Sequence, residues 1–252
     1  MLTVLAVLLV VCQVILPYIV APLLVWFVHR QSANTQINQV SDEQFTPDVR
    51  AFFRSVSDCL ASQGFRPAAY LRRVNPASRT FADILVMTNE STKESAAAVE
   101  MRVAGRRAHA AQRLLEFCTE FVSGEEINTH NCGIAFVTKP HPMKRQFRLP
   151  AVRHPLTLYA AHRRLVEMHA PASARFIPTP GTEHLHMAHS EEKTHRRQVE
   201  FGYSYLDASA GVYRPTLKGA FLMSWKLAWP VKQVREGLAR RAAAETMRGL
   251  GR

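Results

Sequence analysis

The chain has 252 residues, with 32 Lys and Arg against 20 Asp and Glu and a formal net charge of +12. That length holds one or two compact domains with a true core. With Cys12 in an apolar N-terminal run, Cys59, Cys118 and Cys132 are an odd and irregularly spaced set, not a disulfide framework, and the missing GxSxG, Walker, GxGxxG, kinase and CxxC patterns exclude the enzyme classes most easily read from sequence.

The first element is an uncharged run from Leu2 to Val28, interrupted only by Thr3 and Gln13. A helix rises 1.5 Å per residue, so about 20 apolar residues cross a hydrocarbon core of roughly 30 Å. A secretory signal would need basic residues before a shorter core and a small-x-small cleavage site. No Lys or Arg precedes Arg30, and Val11 before Cys12 does not suit lipid attachment. Residues 1–28 are therefore expected to be a transmembrane anchor, seated in the bilayer through residues 2–28. Trp26 and Arg30 would lie at the interface, and Pro17 and Pro22 are the kink positions. Arg30 and the basic excess beyond it favour an outside N-terminus and a cytoplasmic soluble part.

Gln31 to Phe45 is polar and aperiodic, so residues 29–45 read as a linker. Residues 46–215 read as a soluble α+β domain. Thr46-Pro47-Asp48 is a helix start: a hydroxyl cap, proline at the first position, then an acid at the positive dipole end. Val49, Phe52, Phe53, Val56, Cys59 and Leu60 recur at helical spacing, and Gly64 is the stop, which predicts a helix over 47–63. Strand patterns follow at 69–74, 80–88, 97–103, 115–121, 127–131 and 133–138. Together they predict an antiparallel meander of about five strands after the helix.

Helical periodicity returns at Pro155, with Leu158, Tyr159, Leu165 and Val166 on one face. Residues 171–182 are Pro-rich and irregular, and a second helical pattern runs over about 189–206. Residues 216–252 read as a basic amphipathic helical tail broken at Pro230, with Val234, Leu238 and Ala242 on one side. The fold class expected is thus α+β: a transmembrane helix, then a helix with a β-meander, then C-terminal helices.

Chemistry has few candidates. His184, His186, His189 and His195 stand among Glu183, Glu191 and Glu192. Imidazoles one helical turn apart share a metal in many sites, which makes His186, His189, His195 and Glu192 the candidate ligands. The stretch lacks HExxH and a nearby Cys, so a solvated polar helix without metal or other cofactor is the expected state. His162, on an apolar face, reads as a core histidine with satisfied ring nitrogens. His130 and Cys132 share a strand face, and Cys118 could meet Cys132 in one hairpin register, yet a packed strand with free thiols accounts for both. Lys and Arg are dispersed and no RNP-like aromatic motif accompanies them, which argues against nucleic acid. Lys218, Phe221, Trp225, Lys226, Trp229 and Lys232 have the composition of an interfacial helix, so residues 216–250 either lie on an anionic inner leaflet or form two amphipathic helices packed on the sheet.

Gln63-Gly64-Phe65 and the hairpin EFCTEFVSGEEINTHN from Glu116 to Asn131, with the anchor, give the chain a layout that resembles uncharacterised bacterial single-pass membrane proteins with a soluble α+β domain. The resemblance covers about the first two-thirds of the chain and implies the bacterial inner membrane, without an activity. The expected function is a membrane-anchored, non-enzymatic interaction or ligand-sensing domain. The alternative is a membrane-bound metal-dependent hydrolase built on the histidine cluster.

Overall fold

The computed structural model describes residues 18–103, 111–133, 137–139 and 141–250. Residues 18–28 are helical (α1). Among the described residues no helix is long and apolar enough to cross a membrane. Most of the expected span, residues 2–17, lies outside the described residues.

The domain that follows is α+β. Its elements are β1 (Gln31–Ser32), β2 (Gln36–Gln39), a 3-10 turn at Asp42–Gln44, α2 (Pro47–Ala61), β3 (Arg66–Asn75), β4 (Thr80–Asn89), β5 (Glu94–Val103), β6 (Gln112–Phe121), β7 (Glu126–His130) and β8 (Lys144–Arg148). Then come α3 (Pro155–His169), β9 (Arg175–Phe176), α4 (Glu183–Glu200), β10 (Ser204–Asp207), β11 (Val212–Pro215), α5 (Leu217–Leu227) and α6 (Val231–Leu250).

The main sheet runs β2-β3-β4-β5-β6-β7-β8, with β9 paired to β6. The five strands β3 to β7 are the expected antiparallel meander. β8 extends it in parallel, placing Lys144 opposite Glu126. A small second sheet has the order β1-β11-β10.

Several expectations are corrected. The polar stretch 29–45 is not simply a linker: β1 and β2 add strands to both sheets. Ile37 is the only residue of β2 to bury its side chain, against β3, so no period shows in the sequence. The strand expected over 133–138 falls partly outside the described residues, and the strand that follows β7 is β8. The helix expected from 189 begins at Glu183, and residues 204–206 belong to β10.

Alternation gives the sheet two unlike faces. On one, Leu85 and Met87 of β4, Ala96 and Ala98 of β5, and Leu115 and Phe117 of β6 pack against α2 and α3. Helix α2 contributes Val49, Phe53, Val56 and Leu60, the stripe its 3.6-residue period dictates. Each fully buried Phe or Leu contributes about 1.5–3 kcal/mol. Gly64 ends the turn with φ of +86°, a region open to glycine without strain, and the Asn89 amide donates to Gln63 O at 2.7 Å. Ala243 and Met247 of α6 close the margin of this core.

The opposite face is apolar only at its β2–β4 end, where Leu71, Ile84 and Val86 meet Met187 and Ala188 of α4. Helix α5 is fastened to the domain by Thr216, whose hydroxyl caps Gly219 N at 2.9 Å, and by the close approach of Gly219 to the Tyr203 carbonyl. Helix α1 lies beside α5: the Tyr18 and Trp225 rings are 5.3 Å apart, and the Tyr18 hydroxyl donates to Trp229 O.

Candidate ligand pocket

The site arises where the second sheet face turns polar. On β5, Glu94, Ala96 and Ala98 point into the helix-packed core, which leaves Ser95 and Ala97 as a floor of small side chains on the other face. β6 is in register with them, Cys118 opposite Ser95 and Glu116 opposite Ala97. Glu116, Cys118 and Glu120 therefore form one row, continued by Glu126 of β7 and Lys144 of β8. Helix α4 covers this surface. Glu183, His186, Ser190, Glu191, Thr194 and Gln198 recur at helical spacing along the side that faces the sheet, with Met187 and His195 beside them. A polar helix face over small strand residues does not close into a core, and a cavity of about 500 Å³ remains. That is the size of a small-molecule site.

The charges in its wall are arranged in pairs. Lys144 Nζ lies 3.0 Å from Glu126 Oε2. Burial alone would lower the Lys144 pKa, but Glu116 and Glu126 outweigh it and hold the ammonium charged. His186 Nε2 is 2.7 Å from Glu120 Oε1, and that hydrogen bond raises the imidazole pKa against the opposing effect of burial. Arg73 Nε pairs with Glu191 Oε1. Asn128 Nδ2 donates to Glu116 Oε1 at 2.6 Å. Burial first, and Glu120 second, push the Cys118 thiol well above its ordinary pKa, so it is protonated and a poor nucleophile. Gln198 closes one end by donating to Lys139 O at 2.8 Å and accepting from Lys139 N at 3.2 Å.

Two carboxylate oxygens stand apart. Glu183 is only 5% exposed. Its Oε1 accepts from Gly181 N at 3.1 Å, while Oε2 is buried without a hydrogen-bond partner. Glu191 Oε2 is buried and unpartnered as well.

Of the sequence candidates for a metal, His186 and His195 reach the cavity wall, whereas His189 and Glu192 are exposed on the outer side of α4. Glu192 pairs instead with Arg196 at 2.7 Å, and His195 stacks on Tyr213 at 4.8 Å, its pKa lowered by burial. Among the described residues no group of three or more His, Cys, Asp or Glu is arranged to hold a metal ion. The physical reason is angular: His186 lies at one edge of the sheet-facing stripe, and the step to His189 continues the turn beyond that edge. The hairpin register sets Cys118 opposite Asn128, which separates it from Cys132. His162 is buried, with Thr119 Oγ1 at 2.9 Å and Thr129 Oγ1 at 3.0 Å on its two ring nitrogens.

The interfacial candidates lie elsewhere, on or beside α1, α5 and α6. Trp26, Arg30, Lys218, Phe221, Trp225, Trp229 and Lys232 are exposed, and Phe221 stacks on Trp225 at 6.1 Å. Lys226 departs from this group. Its ammonium turns inward, donating to Val137 O at 2.7 Å and to the Tyr203 hydroxyl at 3.2 Å.

Sequence reasoning missed Arg73, Glu126 and Lys144 of the pocket; it had Glu183 only as a neighbour of the histidine cluster, Cys118 only as a possible partner of Cys132, and Glu116 and Glu120 only within the hairpin. The available signal was the alternation of Glu116 and Glu120 with buried Leu115 and Phe117, which marks the second face of β6 as polar yet covered. Comparison with protein-family models, with curated proteins and with solved structures finds no match to this chain.

Proposed function

We propose that the protein is a membrane-anchored, non-enzymatic domain that binds a small molecule between α4 and the sheet. The observation that carries this reading is the cavity itself, a space of about 500 Å³ walled by the polar side of a helix where a core would otherwise be. Water-sized voids are common in folded domains, but a space this large with converging charged groups has the anatomy of a binding site. Non-enzymatic binding is favoured because burial keeps the Cys118 thiol protonated and a poor nucleophile.

The membrane half of the proposal rests on the apolar run at Leu2–Val28 and on α5. Ile19 and Leu23 of α1 line a shallow open groove with Leu217 and Phe221 of α5. Exposed apolar surface on both sides of that groove suits a helix lying at the bilayer surface where a span leaves it.

A ligand-observed NMR screen of the full chain in detergent tests the binding function. The matched probes are phenethylamine, 2-phenylethanol and phenylacetate, which share one body and differ in charge. Ala97→Phe fills the cavity floor, so hits at this site vanish in that variant. A screen in which no hit depends on residue 97 overturns the proposal.

A further inference from the structure

The cavity is acidic in a chain that is otherwise basic. Five carboxylates line it, Glu116, Glu120, Glu126, Glu183 and Glu191, although the whole chain has only 20 acidic residues against 32 basic ones. Two cations and one imidazole answer them: Arg73 pairs with Glu191, Lys144 pairs with Glu126 and is held by Glu116 as well, and His186 is hydrogen-bonded to Glu120. The Glu116 carboxylate accepts from the neutral Asn128 amide. Among the described residues Glu183 has no cationic partner, and its one hydrogen bond comes from the Gly181 backbone.

That position is costly. A buried carboxylate oxygen with no donor loses its hydration and gains nothing in exchange. Glu183 Oε2 and Glu191 Oε2 are both in this state, and both residues line the cavity, two turns apart on α4. Five carboxylates against Arg73 and Lys144 leave the wall with an excess of negative charge, which specifies a ligand that brings donors and positive charge. The rest of the wall specifies a body for it: Val86, Ala97 and Met187 give the cavity an apolar side.

Resting on the pocket reading above, we propose that the cavity takes a small organic cation, an alkyl- or arylalkyl-ammonium. Its nitrogen sits against Glu183 and its hydrocarbon lies on Val86, Ala97 and Met187. An ammonium has donors and no acceptor, and charge-assisted hydrogen bonds to a carboxylate are the strong ones. A bare metal ion answers the charge but leaves most of the space unfilled, and the carboxylates do not gather in a ligand set. An anion would meet the same oxygens as repulsion.

The three matched probes separate the outcomes. The assay is isothermal titration of the full chain in detergent at neutral pH, up to about 1 mM probe, the weak end of specific binding. Phenethylamine binds with a saturable isotherm, and 2-phenylethanol and phenylacetate do not. Glu183→Gln keeps the acceptor for Gly181 N but removes the charge, and weakens phenethylamine binding by about tenfold or more. Circular dichroism shows that this variant is folded. Glu191→Gln, which frees Arg73 inside the cavity, weakens it as well. Binding of the alcohol or the acid in preference to the amine, lost in Ala97→Phe, overturns the cation assignment and leaves the pocket standing. Amine binding that Glu183→Gln and Glu191→Gln do not change also overturns it. Failure of all three probes overturns the assignment together with the pocket reading.

Discussion

His162 makes the stability of this domain depend on pH in a way that can be worked out beforehand. The side chain is fully buried between Thr119 and Thr129, both also fully buried. A neutral imidazole fits that slot, donating from one ring nitrogen and accepting at the other. Burial, with Arg175 and Arg163 adding to it, lowers the His162 pKa from 6.5 to about 3. The unfolded chain therefore binds a proton below pH 6.5 that the folded one refuses until about pH 3. Stability from this group is complete above 6.5 and falls as the pH drops, by about 1.36 kcal/mol per unit. Two units, from 6.5 to 4.5, cost about 2.7 kcal/mol, a large share of the 5–15 kcal/mol that holds a typical domain together. His162→Leu removes the titration but strands two threonine hydroxyls, at about 1–3 kcal/mol each. Urea unfolding followed by circular dichroism, at pH 7.5 and 4.5, gives the comparison. The variant should be the weaker protein at pH 7.5, and should lose about 2.7 kcal/mol less than the parent on acidification. Equal acid sensitivity in both proteins, or a His162 resonance titrating near 6.5, would refute the reasoning.

Three further outcomes follow from the packing. Gly219→Ala places a methyl within 1.8 Å of Tyr203 O, a backbone atom that cannot swing aside. Helix α5 should be pushed from its seat at a cost of about 1–3 kcal/mol, seen as faster amide exchange over residues 217–227. Arg175→Ala leaves Glu94, which is fully buried, with only the Tyr159 hydroxyl at 2.7 Å and Arg163 at 4.0 Å, and should lower unfolding stability by about 3 kcal/mol in denaturant titration. The pair Trp225→Ala and Trp229→Ala should reduce salt-resistant binding of residues 18–252 to anionic vesicles without altering circular dichroism, since both rings are exposed. Loss of the fold in that pair would place the rings in the core.

The order of elements could be read from the chain because the α2/α3 side of the fold is apolar. Val49, Phe53, Val56 and Leu60 announce α2, and the alternations in β5 and β6 announce the meander. The other side was hidden for the same reason. Helix α4 turns Glu183, His186, Glu191 and Gln198 toward the sheet, so it has little apolar period, and its start was placed six residues late. Strand β8, KRQFR, sets Lys144 against Glu126 across a parallel pairing that no local pattern encodes. The histidine cluster drew attention as a metal site, yet its productive member is His186 through a carboxylate sixty-six positions earlier, Glu120. Such long-range partners are the part of a site that spacing alone cannot give.

The most direct test of a small-molecule site under α4 is hydrogen–deuterium exchange of the full chain with and without saturating phenethylamine. A ligand seated between α4 and the sheet must slow exchange over residues 183–198 and in β5 and β6, with α2 unchanged. Slowing confined to α1 and α5, where the amine would merely partition at the apolar groove, or no slowing in any segment, would contradict the account.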